Sequence, residues 1–245
     1  MPVLERGGAR LHYRVEGTGA PVLMIHSATS TGAHEWDALV RRLHHSYSCI
    51  VPDLRSHGAS DHVEGALGLD EVIGDLRSLI AQVGLGHPHV VGFSFGAEVA
   101  LEMEIRQPGT AQSLILASPG TGHSDGVPQV EKMAVRWPRS LRELHTPKHG
   151  PTHWRTILES LSDDAADRVQ VADDVLSAVD CPMLLVVGSQ DQPIRVQQAI
   201  HLAQLNSRAR LVTMDGAGHA VHAANPDNFA AVAADFLASA AIESR

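Results

Sequence analysis

The chain has 245 residues, room for one α/β domain with an insertion and somewhat more than the usual single-domain length of roughly 100–150 residues. Hydrophobic residues make up 44% and charged residues 19%, the balance of a chain that buries a sizeable interior, which excludes a disordered one. A formal net charge of −9, with no basic run, argues against nucleic acid as a partner, because that binding rests on clustered Lys and Arg.

The opening stretch Met1–Arg6 lacks the apolar centre of a secretory signal, and no run of about 18 apolar residues could span a bilayer. The expectation is a soluble cytoplasmic protein. From Val3 onward, apolar runs bounded by turn residues alternate with segments of helical period, the pattern of a mostly parallel, doubly wound sheet with crossover helices. The predicted strands, in order, are Val3–Arg6, Arg10–Glu16, Pro21–Ile25, Tyr47–Val51, His89–Phe93, Ser113–Ala117, Met183–Val187 and Arg210–Met214. Helical patterns fall at Glu35–His45, Leu69–Val83, Phe95–Gln107, Arg195–Leu205 and Pro226–Ala240, the last opening with Asn225 as N-cap and Pro226 in the first turn. Cys49 and Cys181 each border an apolar run and read as buried free thiols.

The alternation breaks from about Thr121 to Val179. That segment offers no strand and reads as short helices punctuated at Pro128, Pro138, Pro147 and Pro151. It carries spaced apolar residues, among them Val130, Met133, Val135, Ile157, Leu158 and Leu161, which need a surface to pack on. The reading is a core of residues 1–120 and 180–245 with a small helical cap at 121–179.

Gly92-Phe93-Ser94-Phe95-Gly96 sits between a predicted strand and a predicted helix, the context in which a G-x-S-x-G pentapeptide carries chemistry. A tight strand-to-helix turn forces the serine backbone into strain, and the flanking glycines let neighbouring chain pass without Cβ clashes. A serine hydroxyl is a weak nucleophile at neutral pH and needs a base, which in turn needs an orienting acid. Asp191 follows the strand Met183–Val187, and His219 follows the strand Arg210–Met214, both in Gly-containing loops. All three residues fall just past carboxyl ends of predicted strands, where open α/β sheets gather their sites. Asp215, at the end of the last strand, is the competing acid. A tetrahedral oxyanion needs donors: the Phe95 N–H at a helix N-terminus is one, and the Ala28 N–H in the loop Ile25–Gly32 is the second by position, with His26 supporting that loop. Thr29, Ser30 and Thr31 read equally as turn residues or substrate contacts.

These residues, in the order Ser, Asp, His, resemble the α/β-hydrolase superfamily of single-domain esterases, lactonases, carbon–carbon bond hydrolases and cofactor-free haloperoxidase-like enzymes. The resemblance spans nearly the whole chain. Val51–Ser60 looks like the family's D-x-R-G-H-G-x-S loop, and Gly216–Pro226 like its G-x-G-H…P stretch. Ser27, Ser56 and Ala97 stand where the family usually carries glycine. Ser27 with the later pair Trp36-Asp37 is similar to 3-oxoadipate enol-lactonase-like members.

What the resemblance implies is a cofactor-free serine hydrolase acting on a small-molecule carboxylic ester or lactone. Carbon–carbon hydrolysis or perhydrolysis with the same three residues is an alternative, and a non-catalytic small-molecule binder is another. His26, Ser27, Trp137 and Trp154 are candidates for the pocket, the tryptophans equally as glue between cap and core. The sixteen histidines invite a metal reading, above all His145, His149 and His153 at intervals of four. Pro147, Gly150 and Pro151 oppose the continuous helix that would align them, and His219 with His222 lacks a suitable third ligand, so no metal is expected.

Overall fold

The computed structural model describes residues 1–64, 68–121, 137–167 and 170–243. Eight strands form one sheet: β1 (Val3–Arg6), β2 (Ala9–Glu16), β3 (Ala20–Ile25), β4 (Tyr47–Pro52), β5 (His89–Phe93), β6 (Ser113–Ala117), β7 (Met183–Gly188) and β8 (Ala209–Met214). Their spatial order is β1-β2-β4-β3-β5-β6-β7-β8, antiparallel from β1 to β4 and parallel thereafter. β3 pairs on one side with β4 and on the other with β5, so the winding reverses there and opens a crevice at the strands' carboxyl ends.

The central strands are apolar at nearly every position because helices cover both faces. Along β3, Leu23 and Ile25 face one layer while Val22 and Met24 face the other, the period-two alternation of a pleated strand. One face is covered by α2 (Leu69–Val83), α3 (Phe95–Arg106) and Leu202 of α8 (Pro193–Leu205). The opposite face carries α1 (Gly32–Leu43) and α10 (Pro226–Glu243), which bring Trp36, Leu39 and Phe229 against Val22, Val91 and Ile115.

α1 starts three residues before the predicted helix. Thr31 caps it by accepting from His34 N at 3.4 Å, and Asp53 accepts the Gly32 N–H at 2.8 Å. Thr31 is therefore a helix N-cap, a role outside the turn or substrate contact expected of it from sequence. Asn225 caps α10 as expected, accepting from Asn228 N at 3.1 Å, but it is preceded by a four-residue helix, α9 (Val221–Ala224), that the sequence did not suggest. Cys49 and Cys181 are buried free thiols, each pushed up to about 12 by burial.

Between β6 and β7 the described residues form α4 (Arg139–Glu143), α5 (Thr146–His149), α6 (His153–Asp167) and α7 (Asp173–Ser177). The expected apolar residues Val130, Met133 and Val135, and Pro128, lie outside the described residues. Trp137, Trp154, Ile157 and Leu158 join the core cluster that contains Ala28 and Phe95. Polar contacts add to this. His153 Nε2 donates to Ser56 O at 2.8 Å, and Lys148 pairs with Asp61 at 2.7 Å, both reaching the loop after β4. That loop is itself held by Arg55, whose Nε and Nη2 each donate to Asp75 of α2 at 2.8 Å in a buried fork. Ser56 has φ 63, the conformation of the glycine usual at that place, and its Oγ meets His62 Nδ1 at 2.8 Å.

The helical run is interrupted at Gly150-Pro151, between α5 and α6, as expected, yet the three histidines still meet. The His149 and His153 rings stack at 4.2 Å, and His145 lies 5.2 Å from His57, which lies 5.0 Å from His26. Burial holds this row neutral: with a smaller contribution from neighbouring histidines, it lowers His145 and His149 to about 4. His89 in β5 is likewise lowered to about 4 by burial. Between pH 6.5 and 4 the unfolded chain therefore binds more protons than the folded one, and stability falls as pH falls through that window. Each fully buried ring such as His145 or His89 contributes a slope of about 1.4 kcal/mol per pH unit there. Urea unfolding followed by tryptophan fluorescence should show the midpoint dropping steadily from pH 7 to pH 5. A midpoint constant over that range would refute the neutral, buried state of these rings.

Candidate active site

Ser94 occupies the junction of β5 and α3 with φ 51 and ψ −114, a region that a residue bearing Cβ adopts only under constraint. The constraint comes from its two glycines. A Cβ on Gly92 would lie 2.2 Å from Gly96 O, and a Cβ on Gly96 would lie 2.2 Å from Ile25 O, so the elbow packs on itself and on the end of β3 with no room for a side chain. Ala97 N and Glu98 N donate to Ser94 O at 3.0 and 3.1 Å, starting α3 at the serine. The same close packing sets Phe95, first residue of α3, beside the loop that leaves β3 with Ala28.

His219, after β8, brings Nε2 to 3.0 Å from Ser94 Oγ, and its Nδ1 lies 2.9 Å from Asp191 Oδ1. An ionised carboxylate can only accept, so Nδ1 carries the ring proton and Nε2 is left to accept from the serine hydroxyl. Asp191, whose side chain is fully buried, also accepts Gln192 N at 2.7 Å. Burial alone would raise its carboxyl, but the hydrogen bond and charge of His219, with help from Ser118 and the Gln192 N–H, hold it below the usual carboxylate range. The His219 side chain is 35% exposed, so the relay opens to solvent at its histidine end. The alternative acid Asp215 is exposed and faces away, accepting from Ser189 Oγ at 3.2 Å.

His26 and Ser27, candidates for the pocket from sequence, are both buried, with their side-chain polar atoms on partners within the protein. His26 is fully buried: its Nε2 accepts from Leu54 N at 2.9 Å and its Nδ1 donates to Ser27 O at 2.7 Å. Both ring nitrogens are spent on backbone, so the ring braces the loop as expected and has none left for a ligand. His57 packs against the same loop, with Nε2 2.9 Å from Ala28 O and Nδ1 2.8 Å from Arg55 O; burial keeps the ring neutral, so its one N–H donates to one of these two carbonyls. Trp137 and Trp154 are buried and meet edge to face at 5.9 Å, with Arg142 stacked 4.4 Å above Trp154. They share a core cluster with Ala28 and Phe95, a packing role in either reading.

Three polar residues at the site have partners that no local motif announces, although the sequence marks His222 as half of a discarded metal pair. Ser118, at the end of β6, has φ 45 and donates from Oγ to His219 O at 2.7 Å, tying down the histidine loop. Its signal is a small polar residue ending an apolar strand just before Pro119-Gly120. The other two are Glu35 and His222, joined at 2.9 Å. Glu35 is buried on the same helical stripe as Leu39 and Leu43, and a charge on an apolar stripe is the mark that could have singled it out.

Residues 22–232 match the alpha/beta hydrolase family. Among characterised relatives, N-formylmaleamate deformylase of Pseudomonas putida is 26% identical over 257 aligned positions, covering 94% of this chain and 93% of that protein. An uncharacterized protein of Mycobacterium tuberculosis is 28% identical over 113 residues, which is 46% of this chain and only 33% of that protein's length. Among solved structures, the enol-lactonase from Burkholderia xenovorans superposes with a TM-score of 0.79 at 21% identity, covering 97% of this chain and 100% of that one, a likeness of fold. With most of its length matched, from β3 into α10, the chain belongs to the alpha/beta hydrolase family.

Proposed function

We propose that the protein is a serine hydrolase that cleaves a small-molecule carboxylic ester or lactone through an acyl-enzyme intermediate. The observation that carries this reading is the unbroken relay from Ser94 Oγ through His219 to the buried Asp191, with the serine held at φ 51 above the sheet. His219 Nε2 takes the hydroxyl proton as Ser94 Oγ attacks the carbonyl carbon, and Asp191 stabilises the imidazolium that forms. The N–H groups of Phe95 and Ala28 receive the developing oxyanion. His219 then returns the proton to the leaving alkoxide, and a water molecule, activated by the same imidazole, releases the acid and frees Ser94.

A serine at position 94 argues against haloalkane and epoxide chemistry, which in related members starts from a carboxylate. No step requires a cofactor. For a lactone, leaving group and acyl group remain one molecule, and the same steps open the ring. The deformylase relative is a reason to include an N-formyl amide among trial substrates.

Replacement of Ser94 by alanine should lower kcat/KM for p-nitrophenyl butyrate by about 10⁴–10⁶-fold in a variant whose circular dichroism is unchanged. Residual activity near that of the parent would rule out Ser94 as nucleophile. For the acid, Asp191→Asn should cost about 10³–10⁴-fold, because the amide favours the wrong histidine tautomer, while Asp215→Asn should stay within about threefold. The opposite ranking would transfer the orienting role to Asp215.

A further inference from the structure

The relay through His219 has a neighbour that it does not use. Glu35, in the first turn of α1, is a buried carboxylate whose partners come from two different loops of the site. Its Oε2 accepts both the Ser27 N–H at 3.0 Å and the Ser27 hydroxyl at 2.6 Å. Its Oε1 accepts from His222 Nε2 at 2.9 Å. Burial alone would raise the Glu35 carboxyl; His222 and the two Ser27 donors more than reverse this and hold it down to about 2, so the group is an anion throughout the working pH range.

Each partner stands next to a residue of the proposed mechanism. Ser27 immediately precedes Ala28, whose N–H is the second oxyanion donor. His222 lies in α9, which directly continues the loop of His219. The His222 ring packs 4.5 Å from the ring of Phe93, and Phe93 also meets His219 at 5.1 Å, so the bridge and the relay share one aromatic platform next to Ser94. The opposite edge of His222 faces Trp36 at 5.3 Å, and its Nδ1 has no hydrogen-bond partner, which leaves Glu35 as its polar anchor. A buried carboxylate bonded to a histidine adds little stability compared with an apolar filling of the same volume, so the bridge is better explained by the geometry it holds than by the stability it adds. The serine at position 27 fits this arrangement: the hydroxyl that a glycine would lack makes the shortest of the three bonds.

We infer that Glu35 is a positioning residue: the Ser27–Glu35–His222 bridge sets the Ala28 N–H and the His219 loop in register with each other across Ser94. This rests on the serine-hydrolase reading above. Glu35 touches neither nucleophile nor base; it acts through Ser27 on the oxyanion loop and through His222 on the base loop.

Glu35→Gln keeps the shape but turns an amide N–H₂ toward a partner, so that His222 and Ser27 cannot both be satisfied as now. For a p-nitrophenyl ester, kcat should fall about 10–100-fold with KM nearly unchanged, since misplacement of an oxyanion donor affects the transition state alone. The inhibition constant of a trifluoromethyl ketone should rise by the same factor. Activity is expressed per site titrated with a fluorophosphonate probe, which removes any unfolded fraction from the comparison. Ser27→Ala and His222→Gln cut one arm each and should show the same pattern more weakly, which keeps the test open if Glu35→Gln fails to fold. Unaltered kcat and ketone affinity per titrated site, or a loss confined to KM, would overturn the positioning role while leaving the serine mechanism intact. A parent enzyme that is neither labelled at Ser94 nor active on any ester, lactone or N-formyl amide would take down both readings together.

Discussion

The close approach of three backbone segments at the β5–α3 junction is the constraint on which the site depends. Gly96 presses on Ile25 O at the end of β3, and Gly92 presses on Gly96 O, at distances that admit hydrogen but no carbon. This contact forces Ser94 into its strained conformation and fixes how near the loop after β3 comes to the start of α3. Strain of about 1–3 kcal/mol persists only where surrounding structure over-determines it. Here that structure is the most deeply buried part of the sheet, where Val90, Val91, Leu114 and Ile115 are fully enclosed between two helical layers.

Rigidity at Ser94 does not fix the loops that meet it, and much of the buried polar chemistry among the described residues goes to that task. His26 and His57 hold the loop after β3 by its carbonyls and by Leu54 N. Ser118 holds the loop after β8 by the carbonyl of His219. The fork between Arg55 and Asp75 holds the loop after β4, onto which His153 and Lys148 then dock. Buried backbone groups in loops need partners, and irregular chain near a site cannot take them from a ladder. His26 serves well because a neutral ring offers one donor and one acceptor on a flat apolar body, matched here by Ser27 O and Leu54 N. The cost of such buried rings is sensitivity to acid, since burial makes their protonation unfavourable.

Most of the fold was legible because the central strands are apolar on both faces and the helices α1 and α2 carry clean periodicity. The strands β1, β5 and β6 and the helix α2 match their predicted bounds residue for residue. Where the reading slipped, a long-range polar contact outweighed the local pattern. α1 begins early because Asp53, distant in sequence, accepts the Gly32 N–H. α9 is too short to have a period. Ser94, Asp191 and His219, which lie hydrogen-bonded in a row, were singled out by the G-x-S-x-G pentapeptide, by their order and by their places past strand carboxyl ends. The roles of Glu35, His222 and Ser118 could not be read in this way, because they come from pairing across elements that no local motif joins. Ser27 was visible as a departure from family pattern, but its meaning lies in Glu35, eight residues on and one helical turn into α1.

Two histidine–carboxylate pairs thus flank the Phe93 ring, and their chemistry differs through what stands at each ring's second nitrogen. His219 takes Asp191 at Nδ1 and leaves Nε2 to the Ser94 hydroxyl, with a third of its side chain open to solvent. His222 takes Glu35 at Nε2 and leaves Nδ1 buried without a partner. A ring that can pass a proton needs a base on one side and an exchangeable group on the other. His222 has only the first, so its pair with Glu35 can hold geometry but cannot turn over. In the proposed mechanism the same two residue types form a proton relay on one side of an aromatic ring, and in the proposed bridge they form a brace on the other. The difference is set by the loop positions that the Gly92–Gly96 elbow and the Ser27–Glu35 contact impose.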